Sequence, residues 1–344
     1  MAVEAATWTM KQIRIGMIGC GLFGESHLFA YKAIPGAKVT AVYDPVRERA
    51  EQLARAFDVS QVATSLGELC HAETVDAVDV VAPEELHLEP VMAALAAGKD
   101  VFVEKPLATD PDHCEQMIRA AAGSGRILIP GHILRFETKC ALLKQEVDSG
   151  RLGKIVSMHA RRNRPSFLLD RYGRTHPAFE NCIHDIDLML WYLGKRVRRV
   201  RGFGRRATGR KHPDAFWGVL EFEGDALGVV ETIWLLPRQA GVLLDDSFQI
   251  VGDRGVGNLS LFPGSLTFWR EDGFETPDSG YDPRLRGTAV GALRDELMYF
   301  CDCVREGRRP EIITAREAKN AVRVCRALVE SANDQRDVVI DDWD

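Results

Sequence analysis

The run Ile13 to Gly24, IRIGMIGCGLFG, constrains the fold more than any other stretch, because an apolar strand-like segment ends in Gly19, Gly21 and Gly24. That spacing suits a tight turn from a β-strand into a helix. Gly19 permits the turn, Gly21 lets a pyrophosphate approach the backbone, and Gly24 lets the helix lie close to the sheet. The phosphates would then meet the positive end of the helix, at the amides of Leu22 and Phe23. A second apolar run, Lys38 to Asp44, ends twenty residues beyond Gly24 in a carboxylate. An acid at that place accepts hydrogen bonds from ribose hydroxyls and repels a 2'-phosphate, so the expected cofactor is NAD in preference to NADP. Arg47 points the other way, since it can pair with such a phosphate. Asp44 also has a purely structural option, as helix N-cap for the segment near Pro45.

Strand and helix patterns alternate from Ile13 to about Ile133, the signature of a parallel sheet with helices on both faces. Val75 to Ala82 is the third strand, Asp100 to Glu104 the fourth and Arg126 to Pro130 the fifth. Ligands of such sheets bind at the carboxyl ends of the strands. Pro83, the triplet Glu104, Lys105 and Pro106, and the pair Gly131 and His132 all fall there. A lysine at that edge can polarise a substrate hydroxyl and help to relay its proton. An isolated Lys-Pro is otherwise an ordinary surface turn.

The second half changes character. Lys154 to Ala160, Val197 to Phe203, Phe216 to Phe222, Ala226 to Trp234, Phe248 to Val251, Gly257 to Leu261 and Leu266 to Trp269 are short β-rich runs, which describe an antiparallel sheet. Two late helices, Leu293 to Arg305 and Ala315 to Asn333, carry apolar stripes. Between the sheet runs a helix is expected over Phe179 to Leu193, with Ile183, Ile186, Leu190 and Leu193 on its buried side. Glu180, His184 and Asp187 recur at i, i+4 and i+7 and share another face. Two carboxylates flanking a histidine would orient the imidazole and raise its basicity, which suits a general base. A histidine hydrogen-bonded in a domain interface is the bland alternative. His176 nearby has two readings, substrate contact and cap before Pro177. Arg161, Arg162 and Arg164 lie on or just after the first strand of the second half, and Arg162 is taken as a substrate contact in the cleft.

The turn GCGLFG, the segment Ala82 to Ala108 (APEELHLEPVMAALAAGKDVFVEKPLA), GHILRF and IHDIDLMLWYLG together resemble the Gfo/Idh/MocA oxidoreductases over nearly the whole chain. The resemblance implies an α/β protein: a doubly wound Rossmann domain, residues 1–132, followed by an α/β domain with a large, open, mainly antiparallel sheet, residues 133–344. It implies a nicotinamide cofactor used on a sugar, sugar derivative or cyclitol, with assembly into homodimers or homotetramers through that sheet. It matches Lys105 and His184 to the family's catalytic lysine and histidine and Asp187 to a substrate-binding or structural acid. The family commonly has aspartate four residues before the histidine, where this chain has Glu180. Two other activities fall within the resemblance: a glycosidase that uses bound NAD transiently, and a cofactor-binding sensor without turnover.

Length and composition fit this reading. The 344 residues allow two domains, and 46% apolar with 27% charged residues is ordinary for a globular chain. A net charge of −6 gives no reason to expect nucleic acid or an anionic membrane as partner. The nine basic residues between Lys195 and Lys211 lack the interleaved aromatics of a nucleic-acid surface, so a solvated sheet face or subunit contact is expected, with a phosphate-bearing substrate as a minor option. No membrane span and no export signal are visible, and the head MAVEAATWTMKQ reads as a ragged end. The eight cysteines form no CxxC pair, so no metal is expected and the location is taken as cytoplasmic.

Overall fold

The computed structural model describes residues 10–238, 243–264, 266–271, 273–341 and 343. Most of the expected ragged head, and residues 239–242, lie outside them. The N-terminal elements are β1 (Ile13–Ile18), α1 (Leu22–Tyr31), β2 (Ala37–Tyr43), α2 (Arg47–Phe57), β3 (Gln61–Val62), α3 (Leu66–His71), β4 (Ala77–Val80), α4 (Leu88–Ala96), β5 (Asp100–Glu104), α5 (Pro111–Ser124) and β6 (Leu128–Gly131). Five strands are legible in sequence; the sixth, β3, has only two residues and no periodicity to display. The strands run parallel in the order β3-β2-β1-β4-β5-β6. Order reverses between β1 and β4, and the crevice at that switch point is where a parallel sheet receives its ligand. Local chemistry sets the helix ends. Asp110 caps α5 by accepting from the Asp112 amide at 2.9 Å, Pro111 occupies the first turn, and Gly125 closes the helix in left-handed conformation.

The second half contributes α6 (Thr138–Asp148), β7 (Ile155–Asn163), α7 (Leu169–Tyr172), α8 (Ile183–Leu193), β8 (Val197–Arg205), β9 (Ala215–Phe222), β10 (Leu227–Ile233), β11 (Asp245–Gly252), β12 (Val256–Phe262), β13 (Phe268–Arg270), β14 (Gly273–Glu275), β15 (Arg284–Leu285), β16 (Thr288–Ala289), α9 (Ala292–Glu306), α10 (Ala315–Asp334) and β17 (Val338–Val339). Seven strands form one sheet in the order β12-β11-β7-β10-β9-β8-β17. It is mixed: β7 and β10 pair parallel and every other neighbour antiparallel. The run Leu266 to Trp269 does not join it, because β13 pairs with β14 in a separate hairpin. The two-residue strand β17 takes the sheet edge instead.

Alternation fixes which side of this sheet is dry. Phe216, Leu220 and Phe222 of β9 point inward to 0% exposure, on the face of the sheet that α8 and α10 cover through Met189 and Leu328, while Trp217 and Val219 face outward. A capping box between Thr314 and Glu317 starts α10. The two sheets fall on either side of residue 132, but the chain does not stay divided. Helix α9 returns to the parallel sheet and places Leu293, Leu297, Phe300 and Cys301 in one core with Ile13, Met17 and Phe102. Its apolar stripe is readable in sequence; its destination is not.

Candidate active site

The glycine turn has the geometry its sequence implies. Gly19 adopts φ +104°, and a Cβ there would lie 2.5 Å from the Val81 carbonyl oxygen; a Cβ on Gly24 would lie 2.3 Å from the oxygen of Gly19. A Cβ on Gly21 would meet no atom within 4 Å. Gly19 and Gly24 are therefore demanded by the turn itself, whereas Gly21 faces open space before the helix, room that a pyrophosphate would need. Gly21 makes no side-chain cap to α1, and the exposed Leu22 and Phe23 open its first turn, so their amides face that space without competition.

Asp44 is not the N-cap of α2, a place taken by Val46 without a side-chain bond. Its Oδ2 accepts from the Cys20 amide and its Oδ1 from the Val46 amide, each at 2.8 Å, so the carboxylate braces the glycine turn and starts the bend toward α2. A carboxylate oxygen carries more than one lone pair, which leaves Asp44 able to accept from ribose hydroxyls as well. Arg47 is turned to Glu51 of its own helix at 2.8 Å. Pro83 lies exposed just beyond β4. Glu104, expected beside the cofactor, points inward instead. It is 7% exposed, its Oε2 accepts from the Lys105 amide at 3.0 Å, and its Oε1 lies 3.2 Å from Nε2 of His27.

Lys105 crosses from the parallel sheet to the second domain. Its Nζ donates to the Glu180 carbonyl oxygen at 3.1 Å and lies 3.6 Å from Glu180 Oε1. Both side chains remain partly exposed to the cleft, at 17% and 13%. Helix α8 begins four residues later than expected, because Ala178–Cys182 form a wide turn with i to i+5 pairing. This turn shifts Glu180 relative to His184, so the three residues do not share one face as a regular helix would have arranged.

His184 is consequently not flanked by carboxylates. Glu180 faces Lys105, and both oxygens of Asp187 are held by Arg135, at 2.9 Å from Nε and 2.7 Å from Nη2. His184 Nδ1 is enclosed without a hydrogen-bond partner, and burial, followed by the charges of Lys105 and Arg162, holds the imidazole well below its ordinary pKa. The expectation of a basicity raised by two acids is overturned. The ring is kept neutral by desolvation and by cations.

Three expected substrate contacts have other employment. Arg162 is 3% exposed, with Nε and Nη2 on Asp185 at 3.0 and 2.8 Å and Nη1 on Asp246 at 2.8 Å. Strand alternation turns it into the core while Arg161 faces out to Asp245. Asp187 is 1% exposed and ties α8 to Arg135, which also reaches the Ile312 carbonyl and Glu317. His176 takes the capping option: its Nδ1 accepts from the Ala178 amide at 3.1 Å, and its ring packs edge-on against Phe216 at 4.9 Å. Burial, helped by His212 and Arg206, lowers its pKa to about 3.

Several structural partners escape a reading by motif. His87 spans the two turns at the cleft, with Nδ1 2.9 Å from the Pro106 oxygen and Nε2 2.9 Å from that of Ala82. His27 lies behind Lys105 at 0% exposure, 2.8 Å from Asp79 and 3.2 Å from Glu104. Burial opposes its charge, yet the two acids raise its pKa to about 10. A histidine in a helix just after the glycine turn was the available signal, but its acids lie on two other strands. Among the described residues no group of three or more potential ligands could hold a metal ion, and no helix is long and apolar enough to cross a membrane.

A family model described as "Oxidoreductase family, NAD-binding Rossmann fold" matches residues 13–132, and the "GFO/IDH/MocA C-terminal domain" matches residues 140–258. The chain is 34% identical over 297 residues to inositol 2-dehydrogenase 2 of Saccharopolyspora erythraea, covering 83% of each protein. It is 28% identical over 340 residues to scyllo-inositol 2-dehydrogenase (NAD(+)) of Bacillus subtilis, covering 96% of this chain and 97% of that protein. Among solved structures, scyllo-inositol dehydrogenase from Lactobacillus casei with bound NAD(H) and scyllo-inositol superposes with a TM-score of 0.82 at 23% identity, over 96% of this chain and 99% of that one. The chain belongs to the Gfo/Idh/MocA oxidoreductases, with an NAD-binding Rossmann domain.

Proposed function

We propose that this protein is an NAD-dependent dehydrogenase that oxidises a secondary hydroxyl of a cyclitol, with His184 and Lys105 as catalytic residues and Glu180 as the acid that holds Lys105. The observation that carries the reading is the convergence of the Lys105 amine, the Glu180 carboxylate and a neutral His184 at the carboxyl edge of the parallel sheet, beside an open glycine turn. The glycine turn, the amides of Leu22 and Phe23, Asp44 and Pro83 would hold NAD, which supplies the hydride acceptor when bound. His184, uncharged and partly open to the cleft, takes the hydroxyl proton, and the Lys105 amine stabilises the oxygen as charge develops on it. Glu180 restrains the lysine through its carbonyl and carboxylate. The engagement of Arg47 with Glu51 supports NAD over NADP, because the nearest cation is not held toward a 2'-phosphate.

The cyclitol class is supported by the relatives named as inositol 2-dehydrogenases. Two finer readings accompany it. The outward face of the mixed sheet presents Trp217, Val219 and Val229 in register, with Phe203 41% and Leu227 46% exposed at its margins, and this supports a homodimer or homotetramer assembled through that face. Eight unpaired cysteines among the described residues support a reducing, cytoplasmic location.

The experiment is NADH absorbance with NAD across inositol isomers, free sugars, sugar acids and glycosides. NADH formation with one or more inositols is expected. NADH formation only with non-cyclitols would replace the substrate class, and glycoside cleavage without net NADH would replace the reaction.

A further inference from the structure

Glu84 stands directly after Pro83, at the start of a short turn on the cofactor side of the cleft, yet its side chain is only 5% exposed. It reaches across to a segment ninety residues away in sequence. Its Oε2 accepts from Arg174 Nη2 at 2.6 Å, and its Oε1 accepts from the hydroxyl of Thr175. Arg174 also donates Nη1 to the Arg171 carbonyl at 3.0 Å, so one guanidinium gathers the end of α7 as well.

The next residues carry the contact to the site. Thr175 is 4% exposed, and the His176 carbonyl that follows accepts from the amides of Phe179 and Glu180 at 2.9 and 3.2 Å. Those bonds open the wide turn whose Glu180 oxygen receives Lys105. The stretch from Arg174 to Glu180 is therefore pinned at both ends to the parallel-sheet domain, by Glu84 at one end and Lys105 at the other. Both pins fall in short turns, Glu84 opening the one after Pro83 and Glu180 within the wide turn before α8.

We propose that Glu84 is a positioning residue: it fastens the lead-in of the catalytic turn to the loop that follows Pro83, and so sets where Glu180 and His184 stand relative to Lys105. This deepens the dehydrogenase reading and rests on it. A charge-assisted bond and a hydroxyl bond to one enclosed carboxylate hold a loop with little conformational freedom, whereas a truncated side chain releases it.

The test compares Glu84→Ala, Glu84→Gln, Arg174→Met and the Glu84→Gln/Arg174→Met pair in the full-length protein, with an active inositol. Glu84→Ala is expected to lower kcat by about 10- to 100-fold while the Kd for NAD stays within about twofold of the parent. Glu84→Gln, which keeps an acceptor for Thr175, should recover part of that loss. The double variant should be no worse than the poorer single by more than about twofold, because both changes break one contact. Loss of NAD binding and thermal stability in step with kcat, without recovery in Glu84→Gln, would overturn the proposal in favour of a merely structural role. Hydrogen exchange separates this failure from failure of the dehydrogenase reading, because it needs no substrate. Faster exchange at the Phe179 and Glu180 amides in Glu84→Ala is expected, and unchanged exchange there would overturn the fastening whatever the enzyme's activity.

Discussion

His27 and His184 are both interior histidines near Lys105, and their surroundings drive them to opposite charge states. His27, behind the parallel sheet edge, lies between Asp79 and Glu104 and has a pKa raised to about 10 despite burial. His184, at the cleft, has its Nδ1 enclosed and is held well below the ordinary histidine value by burial and then by Lys105 and Arg162. The first is a cationic brace that neutralises the acids beneath the Lys105 turn. The second is kept unprotonated and open to take a proton. On the proposed reading the same side chain supplies structure on one side of the lysine and chemistry on the other, and the sign of the neighbouring charges decides which.

The largest expected effect breaks the cleft side. Replacement of His184 by Asn or of Lys105 by Met should lower turnover by ~10²- to 10⁴-fold, with NAD affinity nearly unchanged, as measured by steady-state kinetics and cofactor titration. Turnover within a few-fold of the parent would remove either residue from the catalytic set. Next comes the brace. His27→Gln leaves Asp79 and Glu104 enclosed without their cation and should cost about 3–5 kcal/mol in denaturant unfolding, because uncompensated buried charge is expensive.

The two histidines also differ in how they respond to pH. The raised pKa of His27 means that its contribution is fully present below about 6.5, its unfolded value, and is lost as pH rises through about 10. The lowered pKa of His184 works the other way: the unfolded chain takes up the proton first, so the native state loses stability as pH falls below 6.5. Unfolding curves across pH should show the alkaline loss in the parent and not in His27→Gln. The kcat/KM profile should keep its plateau through neutrality and bend only on the acid side of the ordinary histidine range. An acid limb above 6.5 would mean that the active base is not a His184 whose pKa is held low by burial and by Lys105 and Arg162.

The smallest effects concern the cofactor side. Asp44→Asn removes a charge that meets the Cys20 amide and should raise the KM for NAD by about tenfold, the scale of a charge-assisted hydrogen bond. Arg47→Ala should leave the preference between NAD and NADP unchanged, since the exposed guanidinium is turned to Glu51. A shift in that preference would show that Arg47 leaves Glu51 when cofactor binds.

What the sequence displays is local. Gly19, Gly21 and Gly24 announce their turn because the positive φ of Gly19 and the close approach of Gly24 to the Gly19 oxygen are set within the turn itself, although Gly19 also packs on the distant Val81 carbonyl, and Asp44 is found by distance along one strand-helix-strand unit. Periodicity likewise shows that α9 has an apolar side and that β7 alternates. It does not say that α9 crosses back to the cofactor core, or that Arg162 turns inward to Asp185 and Asp246 while Arg161 turns out. Those outcomes depend on strands and helices far away in the chain, and a charged residue at an inward position is indistinguishable from a cleft residue until its partners are in place. The displaced face of Glu180, His184 and Asp187 has a different origin. A single wide turn at Ala178–Cys182 breaks the helical count, and nothing in the spacing of THPAFENCIHDID marks it.

The division between the two histidines is tested most directly by nitrogen-15 NMR of the imidazole rings at neutral pH, assigned through His27→Gln and His184→Asn. A cationic His27 and a neutral His184 in the same sample are the expected result. A cationic His184, or a neutral His27, would contradict the assignment of brace and base.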